Sequence, residues 1–408
     1  MSRQRRIRAV VMRGGTSRAV FFRPEDLPTD PAVRDRVVLK IFGGGDPYGR
    51  QIDGLGGATS TTSKMAIIAP ASVPGADVDY TFGQVNVSAP MIDYGGNCGN
   101  ISSAVGPYAI DEGLVQAGEP VTTVRIWQTN TRKHIIAHVP TSNGGHQVEG
   151  DYTIDGVPGS GAPITLEFLE PGGSMTGRLL PTGHAAEPLE VPGVGTITVS
   201  LVDAANPVVF VKPGDLGLSG TEMPDRVDAD PDLLSRIEAI RAHAAVRMGL
   251  AATPEEATAK SPGVPKLAFA SAPASYASTS GRAVDANAMD AVGRIMSMGR
   301  LHRSYALTGA ICTAVASLID GTVVHAVVRS APGGERTVRI GHPAGIIEAG
   351  AQVARRDGAW VAEKVVTRRT ARRLMEGVAF VPALIWAADE AARARSSAAT
   401  APTRGTRR

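Results

Sequence analysis

The segment Asp93-Tyr-Gly-Gly-Asn-Cys98-Gly-Asn-Ile-Ser-Ser-Ala-Val105 is a glycine-rich turn followed by small and apolar residues. This pattern predicts a turn that places a cysteine at the start of a helix. The first N–H groups of a helix have no intrahelical partner and carry the positive end of its dipole, so they favour a thiolate or a bound carboxylate. Gly95, Gly96 and Gly99 add no side chain that would block a ligand. The alternative is that Cys98 is a small core residue and the glycines only form a turn.

Length and composition restrict the class of protein. A chain of 408 residues exceeds one ordinary core, so we expect two domains. The 42 basic and 39 acidic residues give a net charge of +3, which argues against nucleic-acid or membrane-surface binding. Two cysteines cannot make a disulfide framework and no apolar run is long enough to span a bilayer, so we expect a cytoplasmic protein. The 47 glycines and 28 prolines predict many turns between short strands.

The N-terminal segment predicts a β-hairpin, with strands at 7–12 and 19–22. Its loop contains Arg13, Thr16 and Ser17. A cation, hydroxyls and backbone N–H groups together can bind a carboxylate, so the loop is a candidate binding element. A solvated turn is an equally good interpretation.

A second candidate segment runs from Asp53 to Lys64 and is rich in glycine and hydroxyl residues. A phosphate-binding loop requires glycine directly before its lysine and a hydroxyl directly after, whereas Ser63 and Met65 occupy those positions. Lys64 instead precedes an apolar run that predicts a buried strand. A lysine there loses hydration, which lowers its pKa and suits a proton-transfer base. The alternative is a solvated surface lysine.

The rest of the chain predicts mainly sheet in two similar halves. Further strands are expected at 78–87, 121–139, 151–169, 193–202 and 208–211, and helices at 31–42, after Cys98, at 230–248, at 288–301 and at 308–319. Gly106-Pro107 predicts a kink or break in the helix after Cys98. Asn206 lies in a turn, where it binds a ligand or caps the bend. Each half thus has one small-residue helix with a cysteine, Cys98 or Cys312, at or near its beginning.

These features together resemble the PrpF-type 2-methylaconitate cis-trans isomerase family, which has the diaminopimelate epimerase fold. The resemblance extends to about Pro382. It is carried by the segments Met12–Ser17, Asp53–Lys64, Gly96–Asn100, Val124–Gln128, Leu189–Thr196, Ser297–His302, Arg339–Gly345 and Ala371–Gly377. The family also includes 4-oxalomesaconate and methylitaconate isomerases or tautomerases.

The resemblance implies an α+β fold with two pseudo-symmetric epimerase-like domains, each a curved, mainly antiparallel sheet wrapped around a central helix. The first domain would comprise residues 1–180 with a return segment at 366–386, and the second residues 181–365. Residues 387–408 would form a C-terminal helix or tail. The active cleft would lie between the domains, where two helix N-termini converge on a polyanion.

The resemblance also implies roles for individual residues. Lys64 corresponds to the family's base and Cys98 to the cysteine that pairs with it. The implied substrate-binding residues are Arg13, Thr16, Ser17, Ser63, Asn97, Gly99, Asn100, Ser297, Met298, His302, Thr308 and Gly309. Cys312 occupies the segment where related epimerases have a second cysteine, and a structural role is favoured for it here.

The implied reaction moves an allylic proton in an unsaturated di- or tricarboxylate, with no redox, metal or nucleotide cofactor. Lys64 would remove the proton, and N–H groups near Gly99 would stabilise the dienolate. Lys64 or Cys98 would return the proton. The leading reaction is the cis-trans isomerisation of 2-methylaconitate, with allylic isomerisation of 4-oxalomesaconate or methylitaconate as the alternative. A non-catalytic small-acid binder is the alternative from another class. We expect no partner other than the substrate and a second copy in a homodimer.

Overall fold

The structure is a computed structural model that describes residues 4–329 and 335–386. The predicted tail at 387–408 lies outside this range. The helices are α1 (Pro31–Phe42), α2 (Gly99–Asp111), α3 (Pro224–Asp228), α4 (Pro231–Arg247), α5 (Pro254–Lys260) and α6 (Leu307–Ser317). Short 3-10 turns are found at Pro24–Asp26, Pro213–Leu216 and Ala286–Ala288. None of the helices in the described range is long and apolar enough to cross a membrane.

The strands follow one another closely along the chain. Those of the first half are β1 (Gln4–Gly14), β2 (Ser17–Phe22), β3 (Lys64–Pro70), β4 (Val78–Val85), β5 (Ile92–Asp93), β6 (Val121–Gln128), β7 (Lys133–Ser142), β8 (Gly145–His146) and β9 (Ile164–Leu169). Those of the second half are β10 (Glu187–Val191), β11 (Gly195–Ala204), β12 (Asn206–Val211), β13 (Lys266–Ser271), β14 (Tyr276–Ala277), β15 (Ala283–Val284), β16 (Ala291–Ser297), β17 (Arg300–Leu301), β18 (Glu335–His342), β19 (Gly345–Arg356) and β20 (Ala359–Arg369). The last strand is β21 (Ala371–Pro382).

The two halves share one pairing scheme. In the first half, β1–β2 is antiparallel, β2–β3 parallel, β3–β4 antiparallel, β4–β6 parallel, and β6–β7 and β7–β9 antiparallel. In the second half, the same sequence of pairings occurs for β11, β12, β13, β16, β18, β19 and β20. Each of the seven strands of this scheme therefore has an equivalent in the other half.

Two connections join the halves. β20 pairs with β19 on one side and with β9 on the other, so the two curved sheets are continuous. β21 pairs with β1 along its whole length, from Gln4 opposite Pro382 to Gly14 opposite Ala371. The end of the described chain therefore returns to the first half.

Each sheet encloses one central helix. All residues of α2 from Gly99 to Ile110 are buried, and so are all residues of α6. Both helices are rich in small residues, which lets strands approach on every side, and both belong to one continuous apolar core. This arrangement confirms the predicted α+β class with a mainly antiparallel sheet around a helix in each half.

Three local predictions differ from the structure, in whole or in part. Of the predicted strand at 151–169, only Ile164–Leu169 forms one. Residues 288–301 do not form a helix, because this segment contains β16 and β17. All seven residues of β16 are buried between β13 and β18, and a strand buried on both faces shows the continuous apolar pattern that a buried helix also shows. The helix after Cys98 is not broken at Gly106-Pro107, since α2 continues through Pro107 to Asp111. Packing against the surrounding sheet outweighs the local cost of the proline.

Candidate active site

A cavity lined by residues of both halves lies where α2 and α6 begin. The first half contributes Ser17, Lys64, Phe82, Gln84, Asp93 and Gly96–Asn100. The second half contributes Asn206, Gly263, Val264, Lys266, Ser297, Met298, His302 and Ala306–Thr308.

Lys64 is the first residue of β3 and lies between Ala19 of β2 and Gln84 of β4. The side chain is buried, with 7% of the residue exposed. Its Nζ donates a hydrogen bond of 2.5 Å to Oε1 of Gln84 and lies 5.3 Å from the centre of the Phe82 ring. Burial lowers the pKa of Lys64, and interaction with Cys98 opposes this only in part. Lys64 therefore has the environment expected of a neutral amine base.

Gln84 fixes the position of this amine. Its Nε2 donates to the carbonyl oxygens of Ser63 at 2.9 Å and Ser60 at 3.2 Å, which leaves Oε1 directed at Lys64. The loop before β3 thus orients the base through the Gln84 amide.

The N-termini of the two central helices are open toward the cavity. Cys98 is half-buried and precedes α2, and Ala306 precedes α6; within the described residues no side chain caps either helix. By contrast, α1, α4 and α5 are capped by Asp30, Asp230 and Thr253. The first N–H groups of α2 and α6 are therefore free to bind an anion, and they add the positive ends of two helix dipoles.

Asn206 joins the two halves beside this opening. Its Oδ1 accepts from the Asn97 N–H at 3.0 Å, and its Nδ2 donates to the Asn97 carbonyl at 3.2 Å and to Oγ1 of Thr308 at 3.3 Å. A Cβ added to Gly96 would lie 2.8 Å from Asn206 Oδ1. The glycine therefore permits the close approach of Asn206, which is a structural link as well as part of the cavity wall.

Sequence reasoning missed Lys266, a second lysine in the cavity. Lys266 is the first residue of β13, and its Nζ donates to the Gly263 carbonyl at 3.2 Å. Burial, together with the charge of Lys64, lowers the pKa of Lys266 to about 8. A sequence signal existed, since Lys266 precedes an apolar run as Lys64 does. Gly263, which sequence reasoning also missed, donates its backbone N–H to Asp93 at 3.1 Å.

Three predicted residues line the second half of the cavity near β16 and β17. His302 is buried, its Nδ1 accepts from the Ser304 N–H at 3.1 Å, and burial lowers its pKa to about 3, so the ring is neutral. Met298 lies between β16 and β17 with φ of 54°, a left-handed conformation that is unfavourable for this residue. Ser297 is the last residue of β16. The cavity wall therefore has neutral polar groups here.

Four predicted substrate-binding residues lie outside the cavity wall, where they support it. Arg13 donates to the carbonyls of Gly15 and Thr370, and Ser63 donates to the side chain of Gln51. The backbone N–H of Thr16 donates to Asn100 Oδ1 at 3.3 Å, so Thr16 positions Asn100. Gly309 faces the side chain of Ile295 in the core. The remaining predicted residues, including Ser17, Asn97, Asn100 and Thr308, are brought together in the cavity.

Cys312 is remote from the start of α6, contrary to the sequence expectation. Its Sγ donates to the Val202 carbonyl at 3.4 Å, and burial raises its pKa well above the ordinary value. The residue equivalent to Cys98 is Ala306, since both directly precede the central helix of their half. The structure therefore gives Cys312 the structural position that the sequence analysis favoured.

Known proteins with related sequences are isomerases or tautomerases by name. The 3-methylitaconate isomerase of Eubacterium barkeri is 48% identical over 93% of this chain and 98% of its own length. The 2-methyl-aconitate isomerase of Shewanella oneidensis is 44% identical over 93% and 98%. The 4-oxalomesaconate tautomerase of Pseudomonas putida is 37% identical over 95% and 99%.

Solved structures show the same fold. The crystal structure of methylitaconate-delta-isomerase has a TM-score of 0.74 and 48% identity, and the match covers 94% of this chain and 97% of that one. A hydroxyproline epimerase from Agrobacterium vitis has a TM-score of 0.52 at 15% identity, over 93% and 94% of the two chains. This second likeness shows the epimerase-like fold alone. The family model described as PrpF protein matches residues 4–382. With the fold and the cavity described above, these matches show that the chain belongs to the PrpF protein family.

Proposed function

We propose that this isomerase moves an allylic proton in an unsaturated di- or tricarboxylate, with 2-methylaconitate as the leading substrate. One observation carries the proposal: the buried amine of Lys64 shares a cavity with two uncapped helix N-termini. The proposal combines a base with a site for carboxylates.

The anion site supports a substrate with more than one carboxylate. The starts of α2 and α6 come from different halves, so each can bind one carboxylate at its free N–H groups. Ser17, Asn100 and Thr308 add hydroxyl and amide donors around the same space.

The proposed chemistry starts from the neutral amine of Lys64. The lone pair of Nζ accepts the allylic proton, and the electrons of the C–H bond pass into the adjacent double bond and carboxylate as a dienolate. Helix N–H groups at Gly99 and Asn100 stabilise the developing charge, as an oxyanion hole does. A proton delivered to the far carbon gives the positional isomer. Rotation followed by return of the proton to the original carbon gives the geometric isomer.

A second candidate is methylitaconate isomerisation. It is favoured by the 48% identity to the 3-methylitaconate isomerase of Eubacterium barkeri, which exceeds the 44% identity to the 2-methyl-aconitate isomerase of Shewanella oneidensis. Both reactions use the same allylic proton step, so the cavity described here serves either.

We also propose a cytoplasmic location, because Cys98 and Cys312 are both free thiols.

The experiment compares three acids as substrates for the purified protein: 2-methylaconitate, methylitaconate and 4-oxalomesaconate. The positional and the geometric isomers each differ from their substrate in ultraviolet absorbance, so absorbance follows the reaction. We expect turnover of 2-methylaconitate by the wild type, and loss of at least a thousandfold in Lys64→Ala. Lys260→Ala is the matched control, because Lys260 is an exposed lysine on α5. Binding of these acids without turnover would instead support the non-catalytic binder.

A further inference from the structure

Lys64 and Lys266 occupy equivalent positions in the two halves. Lys64 begins β3 opposite Ala19 of the parallel strand β2, and Lys266 begins β13 opposite Val208 of the parallel strand β12. Ala19 and Val208 are each the third residue of their strand. The register is therefore the same in both halves, and each lysine enters the shared cavity from its own half.

The symmetry of the two halves does not extend to the thiol. Cys98 precedes α2, whereas Ala306 precedes α6. Of the described residues that the second half contributes to the cavity, only Lys266 and His302 titrate. The ring of His302 is neutral, and its Nδ1 already accepts a hydrogen bond from Ser304. Lys266 is thus the group of the second half that can hold a transferable proton at neutral pH.

We propose that Lys266 is a second catalytic residue, which gives a proton to the far carbon of the dienolate from the side opposite Lys64. This inference rests on the proposed function and adds a second proton-transfer group to it. The cavity lies between the halves, and the two lysines enter it from equivalent strands. A flat unsaturated acid bound between them therefore presents one face to each amine.

The charges around the pair disfavour two protons on the two amines. After burial, Lys64 is the largest influence that lowers the pKa of Lys266, and Arg241 acts in the same direction. Asp93 and Cys98 oppose it. Arg241 is itself paired with Glu238. Two amines that repel each other hold one proton more readily than two, so one base and one acid coexist in the same cavity.

The proton balance of the step is complete. Nζ of Lys64 takes the allylic proton and becomes an ammonium, while the C–H electron pair enters the dienolate. The far carbon then uses that electron pair to take a proton from the Lys266 ammonium, which becomes a neutral amine. Exchange of protons with water restores the starting forms before the next turnover. No oxidant, reductant or other reactant is required.

The test separates removal of the proton from its delivery. For methylitaconate in D₂O, proton NMR measures loss of the allylic hydrogen from the substrate, and absorbance measures the positional isomer. In Lys266→Met, we expect loss of the allylic hydrogen to remain within about fivefold of the wild type, while isomer formation falls at least a hundredfold. Lys266→Arg restores the charge but not a transferable proton, so it should not recover isomer formation. Lys260→Met is the control.

Two results would overturn the proposal. If both reactions fall together in Lys266→Met and recover in Lys266→Arg, Lys266 is a carboxylate-binding cation; if neither changes, it has no part in the reaction. A second measurement uses only the wild type and so does not depend on the folding of a variant. The substrate is deuterated at the allylic carbon and the reaction is run in H₂O. We expect the far carbon of the positional isomer to carry hydrogen and no deuterium. Transfer of that label would show that one group moves the proton. Absence of any turnover by the wild type would count against the proposed function itself.

Discussion

A Cβ added to Gly99, the first residue of α2, would lie 3.1 Å from the Cβ and Cγ of Leu307, the first residue of α6. The two central helices therefore begin in direct contact, and a glycine makes that contact fit. Because the free N–H groups of both helices face the same cavity, this contact sets the distance between the two proposed carboxylate sites.

Gly99→Ala should separate the two helix ends. Contacts of 3.1–3.2 Å between the new Cβ and Leu307 are shorter than ordinary van der Waals contacts, so one of the two helix ends has to shift. We therefore expect the free energy of unfolding to fall by about 1–3 kcal/mol. Turnover of the acid should fall further than this loss of stability explains, because the anion site widens. Urea unfolding and kcat/KM measure the two effects. Gly118→Ala is the control, since a Cβ there meets open space. Equal activity in both variants would contradict the prediction.

Gln84 should control both the position and the protonation of Lys64. Gln84→Leu removes the 2.5 Å hydrogen bond to Nζ, and we expect kcat to fall roughly tenfold with little change in KM. Gln84→Glu places a carboxylate beside the amine, which favours the ammonium and raises the pKa of Lys64. The rising limb of the pH–rate profile should then move to higher pH. Gln147→Glu, on the surface, is the control. A limb that stays in place would show that Lys64 does not act as the base.

The wild-type pH–rate profile should have two limbs. The pKa of Lys64 lies below its ordinary 10.5, and the base is the neutral form, so kcat/KM rises as the pH increases through that pKa. Lys266 acts as the ammonium, so kcat/KM falls again as the pH rises through the pKa of Lys266, which burial lowers from 10.5. Loss of the allylic hydrogen in Lys266→Met should lack the falling limb. A wild-type profile that keeps rising to pH 10 would contradict this assignment.

Glu112 should stabilise the end of α2 in a pH-dependent way. Its side chain is 7% exposed and accepts hydrogen bonds from Arg8, at 2.6 and 3.0 Å, and from Arg373, at 2.8 Å. Burial alone would raise the pKa of Glu112, but these two arginines lower it overall.

We therefore expect Glu112→Gln to lower the free energy of unfolding by roughly 1–3 kcal/mol at pH 7. A carboxylate whose pKa is depressed in the folded state stabilises above its unfolded pKa of 4.5, and this contribution is lost as the pH falls further. Urea unfolding at pH 7 and pH 3.5 measures it, with exposed Glu25→Gln as the control. A difference that persists unchanged at pH 3.5 would count against the ion-pair explanation.

The central helices could be predicted because their sequences are unusual. The residues after Cys98 and those of 308–319 are small or apolar on every face, which is typical of a helix enclosed on all sides. Lys64 could be predicted because a lysine directly before an apolar run loses its hydration. These inferences use neighbouring residues, and such information is present in the sequence.

The remaining features depend on residues that are far apart in the chain. β16 looks like a helix until its pairing with β13 and β18 is known, because burial on both faces removes the alternation of polar and apolar residues. Lys266 joins Lys64 only because the parallel pair β12–β13 repeats the pair β2–β3. Arg13 has the residue type expected of an anion site, yet its guanidinium donates to the carbonyls of Gly15 and Thr370.

The most direct test of the proposed mechanism is hydrogen exchange at the allylic carbon of 2-methylaconitate in D₂O, followed by proton NMR with wild type and Lys64→Ala. The buried amine is proposed to remove this hydrogen, so the wild type should replace it with deuterium at a rate at least comparable to isomerisation. The variant should lose this exchange by at least a thousandfold, while its folded state is retained by circular dichroism. Exchange at the wild-type rate in Lys64→Ala would show that another group removes the proton.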